Sequence, residues 1–348
     1  MQTNDSIKLT QYSHGAGCGC KISPSVLDQI LVAADTKKHF PQLLVGNEER
    51  DDAAVYDLGD GTAIISTTDF FMPIVDDAAT FGSIASANAI SDIYAMGGTP
   101  LLAIAILGWP INKLPPEIAN AVIEGSRKTC APAGFHWVGG NPFIPPEQIF
   151  GLAVLERVPS KILKKNGGAM IGAKLYLTKP LGIGILSTAQ KQQKLKAEHT
   201  LMGTEWMLKL NNIGAIFGQS NYVTAMTDVT GFGLLGHLTE MCEASEASAL
   251  IDFSKIPWID ETIIKAYIDE GCIPGGTVRN WDSYGHKIAL SDESQKNILA
   301  DPQTSGGLLV AIDPVYDEEF NIICKQNHLD LVSFGTITYK KEKTVYVM

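Results

Sequence analysis

The sequence predicts an α+β fold of two domains, preceded by a flexible glycine-rich arm. A length of 348 residues favours two domains, and 45% hydrophobic residues are enough to form buried cores. Strand-like and helix-like segments are mixed without regular βαβ spacing, which favours α+β over a parallel α/β fold. We assign the arm and a first helix to 1–49, an N-terminal α+β domain to 50–158 and a C-terminal α+β domain to 159–348.

The arm carries the motif HGAGCGCK. Residues 1–22 are polar, rich in glycine and without periodicity, so we expect a mobile segment. Ser23 as N-cap and Pro24 at the first helical position predict a helix after it. Cys18 and Lys21 would then precede an electropositive helix end, which lowers the pKa of a thiol and makes it more nucleophilic. The alternative, a disordered tail with incidental cysteines, carries less weight because exposed free thiols are a liability.

The N-terminal domain is predicted to contain roughly four strands and two main helices. In order, the segments are strands at 53–58 and 62–68, a helix at 81–98, a buried strand at 100–110, a helix at 115–134, and a strand, long turn and strand at 136–158. Gly97 and Gly98 are typical of a helix end. Asn88 and Asp92 are four residues apart in the first helix and share a face.

The C-terminal domain follows a basic, glycine-containing linker. Its predicted segments are a strand and glycine turn at 174–186, a long helical region at 191–217, a strand, glycine turn and helix at 225–245, and late strands at 309–313 and 344–348. These segments supply a sheet and helices but no internal repeat.

Five aspartates fall at the ends of predicted elements: Asp51, Asp52, Asp69, Asp92 and Asp228. Any one of them is most often a turn residue or an N-cap. As a group, they can converge at one edge of a sheet, where carboxylates hold Mg²⁺ ions that also accept phosphate oxygens.

The net charge of −11 and the pI of about 5.1 argue against nucleic acid or anionic membranes as main partners. A polyanion such as ATP would therefore need metal ions or a few placed cations. The six cysteines lack zinc-finger spacing and a disulfide pattern. No signal-peptide pattern or membrane-length apolar run is present, so we expect a cytoplasmic protein with no membrane partner.

Two glycine turns have open interpretations. The run DVTGFGLLGH begins at Asp228, and its backbone N–H groups could bind phosphate, although it matches neither the P-loop nor the dinucleotide motif. A plain helix start that needs glycine for close packing is an equally good interpretation. His237 in this run is expected to be a packed or surface histidine, and DPQTSGG is by itself only a turn.

Taken together, the motifs resemble those of the selenophosphate synthetase (selenide, water dikinase) family, a branch of the aminoimidazole ribonucleotide synthetase-like superfamily. The resemblance extends from about residue 8 to the end of the chain and rests on HGAGCGCK, GNEERDDAAVYDL, NAISDIYAMGGTP, TKPLGIGIL, AMTDVTGFGLLGHL, PGGTVRN and DPQTSGGLL. It implies the two-domain aminoimidazole ribonucleotide synthetase-like fold. It also implies an ATP-dependent phosphotransferase that makes selenophosphate, AMP and phosphate from selenide, ATP and water, supplying selenium for selenocysteine or selenouridine.

The resemblance also implies site residues. Cys18 and Lys21 would be catalytic, and Asp52, Asp92 and Asp228 would bind Mg²⁺. The implied ATP contacts are Lys21, Glu49, Arg50, Asp51, Asp69, Asp92, Gly140, Asn141 and Pro142. The last three would reach ATP from the neighbouring subunit of a homodimer whose N-terminal sheets pair.

One stretch departs from the family pattern: where GGHS is usual, this chain has GGNP at 139–142. Asn141 carries no charge, and Pro142 offers no N–H and stiffens the turn. A non-catalytic nucleotide sensor or selenium carrier is therefore one alternative function. Another ATP-using enzyme of the superfamily and a thiol redox protein are further alternatives, the last disfavoured by C-x-C spacing.

Overall fold

The computed structural model describes residues 7–22, 26, 29–30, 40–46, 51–135 and 137–348. The predicted helix start at Ser23 and Pro24 lies outside the described residues, as do the predicted ATP contacts Glu49 and Arg50.

The first half of the chain forms a mixed sheet with two helices on one face. Its elements are β1 Leu43–Val45, β2 Ala54–Asp57, β3 Thr62–Phe71, α1 Ala78–Ala95, β4 Leu102–Gly108, α2 Pro116–Cys130, β5 Trp137–Phe143 and β6 Ile149–Pro159. Among the described residues the strand order is β1-β2-β3-β6-β4-β5. All neighbours are antiparallel except β4 and β5, which run parallel.

Three predictions for this half need correction. β1 lies in the segment that we assigned to the arm, and β2 to β6 correspond to the five predicted strand segments, one more than the stated total of roughly four. β3 runs on to Phe71, so Asp69 lies within the strand instead of after it. β5 includes Asn141 and Pro142, which we expected in a turn; a proline is tolerated there because β5 is an edge strand.

Helix α1 is buried along most of its length because its residues are small. Asp77 caps its start by accepting a hydrogen bond from the Thr80 N–H at 2.7 Å. A Cβ at Gly82 would lie 1.9 Å from the Val122 carbonyl oxygen, so glycine permits the close crossing of α1 and α2. The helix ends where Gly97 adopts a φ of +80°.

The second half forms a larger mixed sheet with helices around it. Its elements are β7 Lys174–Leu177, α3 Ile183–Lys191, α4 Thr200–Leu208, α5 Ile213–Gly218, β8 Val223–Asp228, α6 Gly233–Ala244, β9 Ala247–Ile251, α7 Glu261–Asp269, α8 Gly275–Tyr284, β10 Ile288–Ala289, α9 Lys296–Leu299, β11 Leu308–Ile312, α10 Asp317–Gln326, β12 Gly335–Tyr339 and β13 Val345–Val347. The strand order within the described chain is β10-β13-β9-β12-β7-β11-β8. The long helical region predicted at 191–217 is wrong, since it is broken into α4 and α5, and the prediction missed β9 and β12.

The two halves meet along α1. Its residues contact α4, α5 and β8 of the second half. The Asn211 side-chain amide donates hydrogen bonds to Ser91 Oγ on α1 and to the Gly306 carbonyl, both at 2.8 Å. The inner side of β3, the C-terminal half of α1 and the end of β8 therefore face one another.

The arm, as far as the structure describes it, is docked between the two halves. Leu9 is fully buried, and its carbonyl accepts a hydrogen bond from Gln148 Nε2 at 2.7 Å. The Gly17 N–H donates to the Met72 carbonyl at 3.1 Å. Cys18 is only 1% exposed, so its thiol is buried in this arrangement.

No helix in the described parts of the chain combines the length and apolarity that crossing a membrane requires.

Candidate functional site

Four carboxylates from separate elements gather where the two halves meet. Asp69 points inward from β3, Asp92 lies on the buried α1 and Asp228 ends β8. Asp52 lies just before β2 and is half-buried. We call Asp52, Asp92 and Asp228 the carboxylate cluster; Asp69 lies beside it.

Two threonines hold the cluster together. Thr67 Oγ1 donates a short hydrogen bond to Asp92 Oδ2 and lies 3.4 Å from the Asp52 carbonyl oxygen. Thr227 Oγ1, next to Asp228 in the chain, donates to Asp52 Oδ1 at 2.8 Å. Asp52 is thus tied to β3 in the first half and to β8 in the second.

The carboxylates of the cluster disfavour one another's ionisation. Burial, with a further contribution from the Asp228 charge, raises the pKa of both Asp52 and Asp92 well above the ordinary range. Burial also raises the pKa of Asp228. Within the described chain, Asp52 Oδ2 and Asp228 Oδ2 are buried and accept no hydrogen bond.

This donor set fits a divalent cation. Buried carboxylate oxygens left without hydrogen bonds are what Mg²⁺ requires as ligands, and its charge would cancel their repulsion. However, no three acidic, histidine or cysteine side chains of the described residues already stand in a metal-binding arrangement. The predicted ligands are therefore brought together without being in coordination geometry.

Cys18 and Lys21 are linked through one amide on α1. Cys18 Sγ lies 3.3 Å from Asn88 Oδ1, as a weak donor to it. Asn88 Nδ2 donates to Asp69 Oδ2 at 2.7 Å, and Lys21 Nζ lies 2.6 Å from the same oxygen. The arm therefore brings its thiol and its ammonium to Asp69, beside the carboxylate cluster.

The charge on Lys21 is well supported. Burial alone would lower its pKa, but the Asp69 carboxylate and neighbouring acidic groups together raise the pKa above its ordinary value. Lys21 therefore stays protonated at and around neutral pH.

Residues 301–307, which the sequence predicts only as a turn, contact the arm at Cys18. The Cys18 N–H donates to Thr304 Oγ1 at 3.0 Å, and the Ser305 N–H donates to Asn88 Oδ1 at 2.7 Å. Nothing in the local sequence marks these contacts, because the partners lie more than 200 residues away in the chain. The motif's resemblance to the family was the only available signal.

Lys179 is a second residue that the sequence analysis passed over. It is 5% exposed, and its Nζ donates to the Ser305 carbonyl at 2.8 Å and to the Lys209 carbonyl at 2.6 Å. Burial lowers its pKa to about 7. Its contact with Ser305 fixes the turn that contacts Asn88.

The TGFG turn packs against the arm. A Cβ at Gly231 would lie 2.9 Å from the Cys18 carbonyl oxygen, and Gly233 has a φ of +71°. His237 is 6% exposed and accepts a hydrogen bond at Nε2 from the Thr230 N–H at 3.1 Å. The histidine is therefore packed, as predicted, and close packing accounts for these two glycines.

Asp51 and the predicted loop residues lie elsewhere. Asp51 Oδ1 accepts a hydrogen bond from the Asn166 N–H at 2.5 Å, which ties it to the linker between the halves. Gly140, Asn141 and Pro142 are exposed on β5. Since β6 and β4 separate β5 from β3, these residues are about 14 Å from Asp69 and do not join the cluster of their own chain.

Comparison with known proteins assigns both halves to described families. Residues 50–153 match the AIR synthase related protein, N-terminal domain, and residues 171–348 match the AIR synthase related protein, C-terminal domain. The aminoimidazole ribonucleotide synthetase-like fold expected from the sequence is thereby confirmed.

Curated relatives cover nearly the whole chain. A selenide, water dikinase from Yersinia pseudotuberculosis is 58% identical over 333 residues, covering 96% of this chain and 95% of the relative. One from Pseudomonas putida is 54% identical over 345 residues, covering 99% and 100%.

Solved structures resemble this one in fold. Thiamine-monophosphate kinase from Stenotrophomonas maltophilia has a TM-score of 0.65 at 17% identity, covering 93% of this chain and 95% of that one. The hydrogenase maturation protein HypE from E. coli has a TM-score of 0.63 at 18% identity, covering 87% and 89%.

Proposed function

This chain belongs to the selenide, water dikinase family, and we propose that it makes selenophosphate from selenide, ATP and water, releasing AMP and phosphate. The observation that carries this proposal is the contact between the arm and the site: Cys18 and Lys21 meet at Asn88 and Asp69, beside the carboxylate cluster. We place the reaction in the cytoplasm and keep the domain limits at 50–158 and 159–348.

Asp52, Asp92 and Asp228 would hold Mg²⁺, and the unsatisfied Oδ2 atoms of Asp52 and Asp228 support this assignment. The ion would supply charge that lets an acidic site accept a triphosphate. Asp69 lies beside the cluster, whereas Asp51 is tied to the linker through Asn166; both are proposed to contact ATP. Glu49 and Arg50 are proposed contacts on the resemblance alone.

Lys21 is proposed to act on the transferred phosphoryl group. Phosphoryl transfer depends on alignment and charge neutralisation more than on covalent assistance. In the docked arm the ammonium is held by Asp69 Oδ2 at 2.6 Å. When a triphosphate occupies the site, the same ammonium would exchange part of this contact for phosphate oxygens.

Cys18 is proposed to guide selenide to the phosphoryl group. Its burial in the docked arm supports a role inside a closed site from which water is excluded. The hydrogen bond to Asn88 and the backbone contact to Thr304 fix the position of the thiol. Selenide arriving beside Sγ would face the Lys21 ammonium.

A homodimer is proposed from the outer face of the first sheet. Phe70 on β3 is 45% exposed and Ile104 on β4 is 44% exposed, and Val138 on β5 is 70% exposed. An apolar sheet face of this kind is typical of a protein interface. Pairing of two such sheets would bring Asn141 and Pro142 near the partner's nucleotide, where neither adds charge.

Phosphorus NMR of the purified protein under anaerobic, reducing conditions tests the proposal. With MgATP and selenide we expect equal amounts of selenophosphate, AMP and phosphate. Without selenide, ATP should not be consumed at the rate seen with selenide. ATP binding without turnover would instead support a nucleotide sensor, and selenide-independent product formation would support another enzyme of the superfamily.

A further inference from the structure

A cavity of about 590 Å³ lies between the arm and the second half of the chain. Its roof is the arm around Gly15 and Gly19, and its walls come from α3 and α8. The carboxylate cluster does not line it. This cavity, which we call the arm cavity, is unused by the function proposed above.

Four basic side chains line the arm cavity, and two of them, His14 and Lys21, pair with Glu147 and Asp69. Its titratable lining side chains are His14, Lys21, Lys191 and Arg279, and none of the described residues that line it is acidic. This is unusual in a chain of net charge −11. A concave site lined by cations concentrates anions.

Lys191 and Arg279 each have N–H donors left for a ligand. Lys191 Nζ donates to the His14 carbonyl at 2.7 Å, and Arg279 Nη2 donates to the Gly19 carbonyl at 2.7 Å. Neither forms an ion pair within the described chain. A lysine has three N–H donors and an arginine has five, so each can still bind an anion.

Backbone N–H groups add to the positive electrostatic potential in the arm cavity. The first turn of α8, a helix of ten residues, starts at Gly275 and borders the arm cavity. Thr188 on α3 supplies a hydroxyl to the same wall. The combination of arginine, lysine, hydroxyl and helix start is that of phosphate-binding sites.

The arm cavity also lies next to the thiol. A narrow cleft lined by Cys18, Lys21 and Arg279 shares Gly19, Lys21, Gly276 and Arg279 with it. Lys21 and Arg279 therefore border both the cleft at the thiol and the arm cavity, so an anion formed beside Cys18 and Lys21 is next to cations that also line the arm cavity.

We propose that the arm cavity binds a tetrahedral oxyanion of the phosphate class and receives the selenophosphate product as it leaves Cys18 and Lys21. The identity of the product rests on the proposed function, whereas the binding of an oxyanion does not. The positive charges of Lys191 and Arg279 bind the anion while the arm stays docked.

Calorimetric titration of the full chain with thiophosphate, an isosteric stand-in for selenophosphate, tests this assignment. Orthophosphate is titrated in a parallel experiment, so that a preference for the product can be separated from general binding of phosphate. EDTA is present throughout, so that metal-bound anion at the carboxylate cluster does not contribute.

The first pair of variants is Thr188→Glu and its neutral match Thr188→Gln. The added carboxylate should weaken thiophosphate binding about tenfold or more, whereas Thr188→Gln should resemble the wild type. Neither change removes a contact with the arm. Wild-type affinity in Thr188→Glu, or no binding of either anion by the wild type, would overturn the assignment.

The second pair of variants keeps the assignment testable if a Thr188 variant does not fold. Lys191→Gln should weaken binding and reduce its salt dependence, while Lys194→Gln should do neither, because Lys194 Nζ donates to the Glu270 carbonyl away from the arm cavity. Equal affinities in the two variants would refute the site. Selenide-dependent AMP formation by the wild type is measured separately, so failure of the proposed function is distinguished from failure of this inference.

Discussion

Lys21 Nζ and Asp69 Oδ2 lie 2.6 Å apart, and this contact joins the arm to the inner face of β3. Asn88 donates to the same oxygen and lies against Cys18 Sγ. This ion pair therefore contributes both to the docking of the arm and, through Asn88, to the position of the thiol.

Replacement of Lys21 by Met should release the arm and abolish selenide-dependent AMP formation. The buried Asp69 carboxylate would lose its cationic partner, which is costly. Hydrogen exchange at residues 17–21 should become faster, as measured by mass spectrometry. Lys265→Met, which breaks an exposed pair with Glu261, is the control and should change neither readout. Unchanged exchange in Lys21→Met would contradict the role of the pair.

Replacement of Cys18 by Ser should abolish AMP formation while leaving the arm docked. A serine hydroxyl can still donate to Asn88 Oδ1, so the variant separates thiol chemistry from packing. The control is Cys272→Ser, at a buried cysteine whose Sγ lies 3.7 Å from Gln192 Oε1. Full activity of Cys18→Ser would remove the thiol from the mechanism.

Asp228→Asn should weaken stabilisation by Mg²⁺. A hundredfold excess of Mg²⁺ over its Kd should raise the wild-type free energy of unfolding by about 2.7 kcal/mol. The variant loses a charged ligand, so at the same Mg²⁺ concentration its gain should be much smaller. Thermal unfolding with Mg²⁺ and with EDTA measures both. Asp269→Asn, at an exposed position of α7, is the control; an equal gain in Asp228→Asn would exclude Asp228 as a ligand.

Asp301 predicts a pH dependence of stability. Burial raises its pKa to about 8, although the Gly184 N–H donates to Oδ2 at 3.0 Å. The folded state thus keeps a proton that the unfolded state loses near pH 4. This contribution to stability is fully present below pH 4, falls by up to about 1.4 kcal/mol per pH unit up to pH 8, and is constant above it.

Asp301→Asn should remove this slope. The difference in free energy of unfolding between the variant and the wild type, from urea titrations, should grow in favour of the variant from pH 5 to pH 8 and then level off. The same difference at pH 5.5 and pH 8 would mean that Asp301 ionises as it does in the unfolded chain.

Ile104→Asp should convert the proposed dimer to monomers. A charge at the centre of an apolar sheet face costs several kcal/mol when that face is covered by a partner. Light scattering after gel filtration gives the mass. Val315→Asp, at a position 82% exposed in the second half of the chain, is the matched control. A wild-type monomer, or a dimeric Ile104→Asp, would exclude this face as the interface.

Much of the fold was readable because its signals are local. The apolar run of β3 and the glycine turn after β8 each depend on neighbouring residues only. Asp228 was therefore expected correctly at the end of β8, whereas Asp69 was expected after β3 and lies within it, because the strand continues to Phe71.

Other features depend on distant partners and were missed. β9, with the sequence ASALI, has a single β-branched residue, Ile251, and no aromatic residue, so its local strand signal is weak, and it is formed by pairing with β12 and β13. The docking of Leu9 against Gln148 joins residues 139 apart, and no local pattern encodes it. The same holds for the contact of Thr304 with Cys18 and for that of Ser305 with Asn88.

The most direct test is a crystal structure of the full chain with a non-hydrolysable ATP analogue and Mn²⁺, with the metal located by anomalous scattering. The account predicts Mn²⁺ bound by Asp52, Asp92 and Asp228 together, with Lys21 Nζ on the phosphates under a closed arm. Metal bound away from these three aspartates, or the three side chains pointing to separate places, would contradict it.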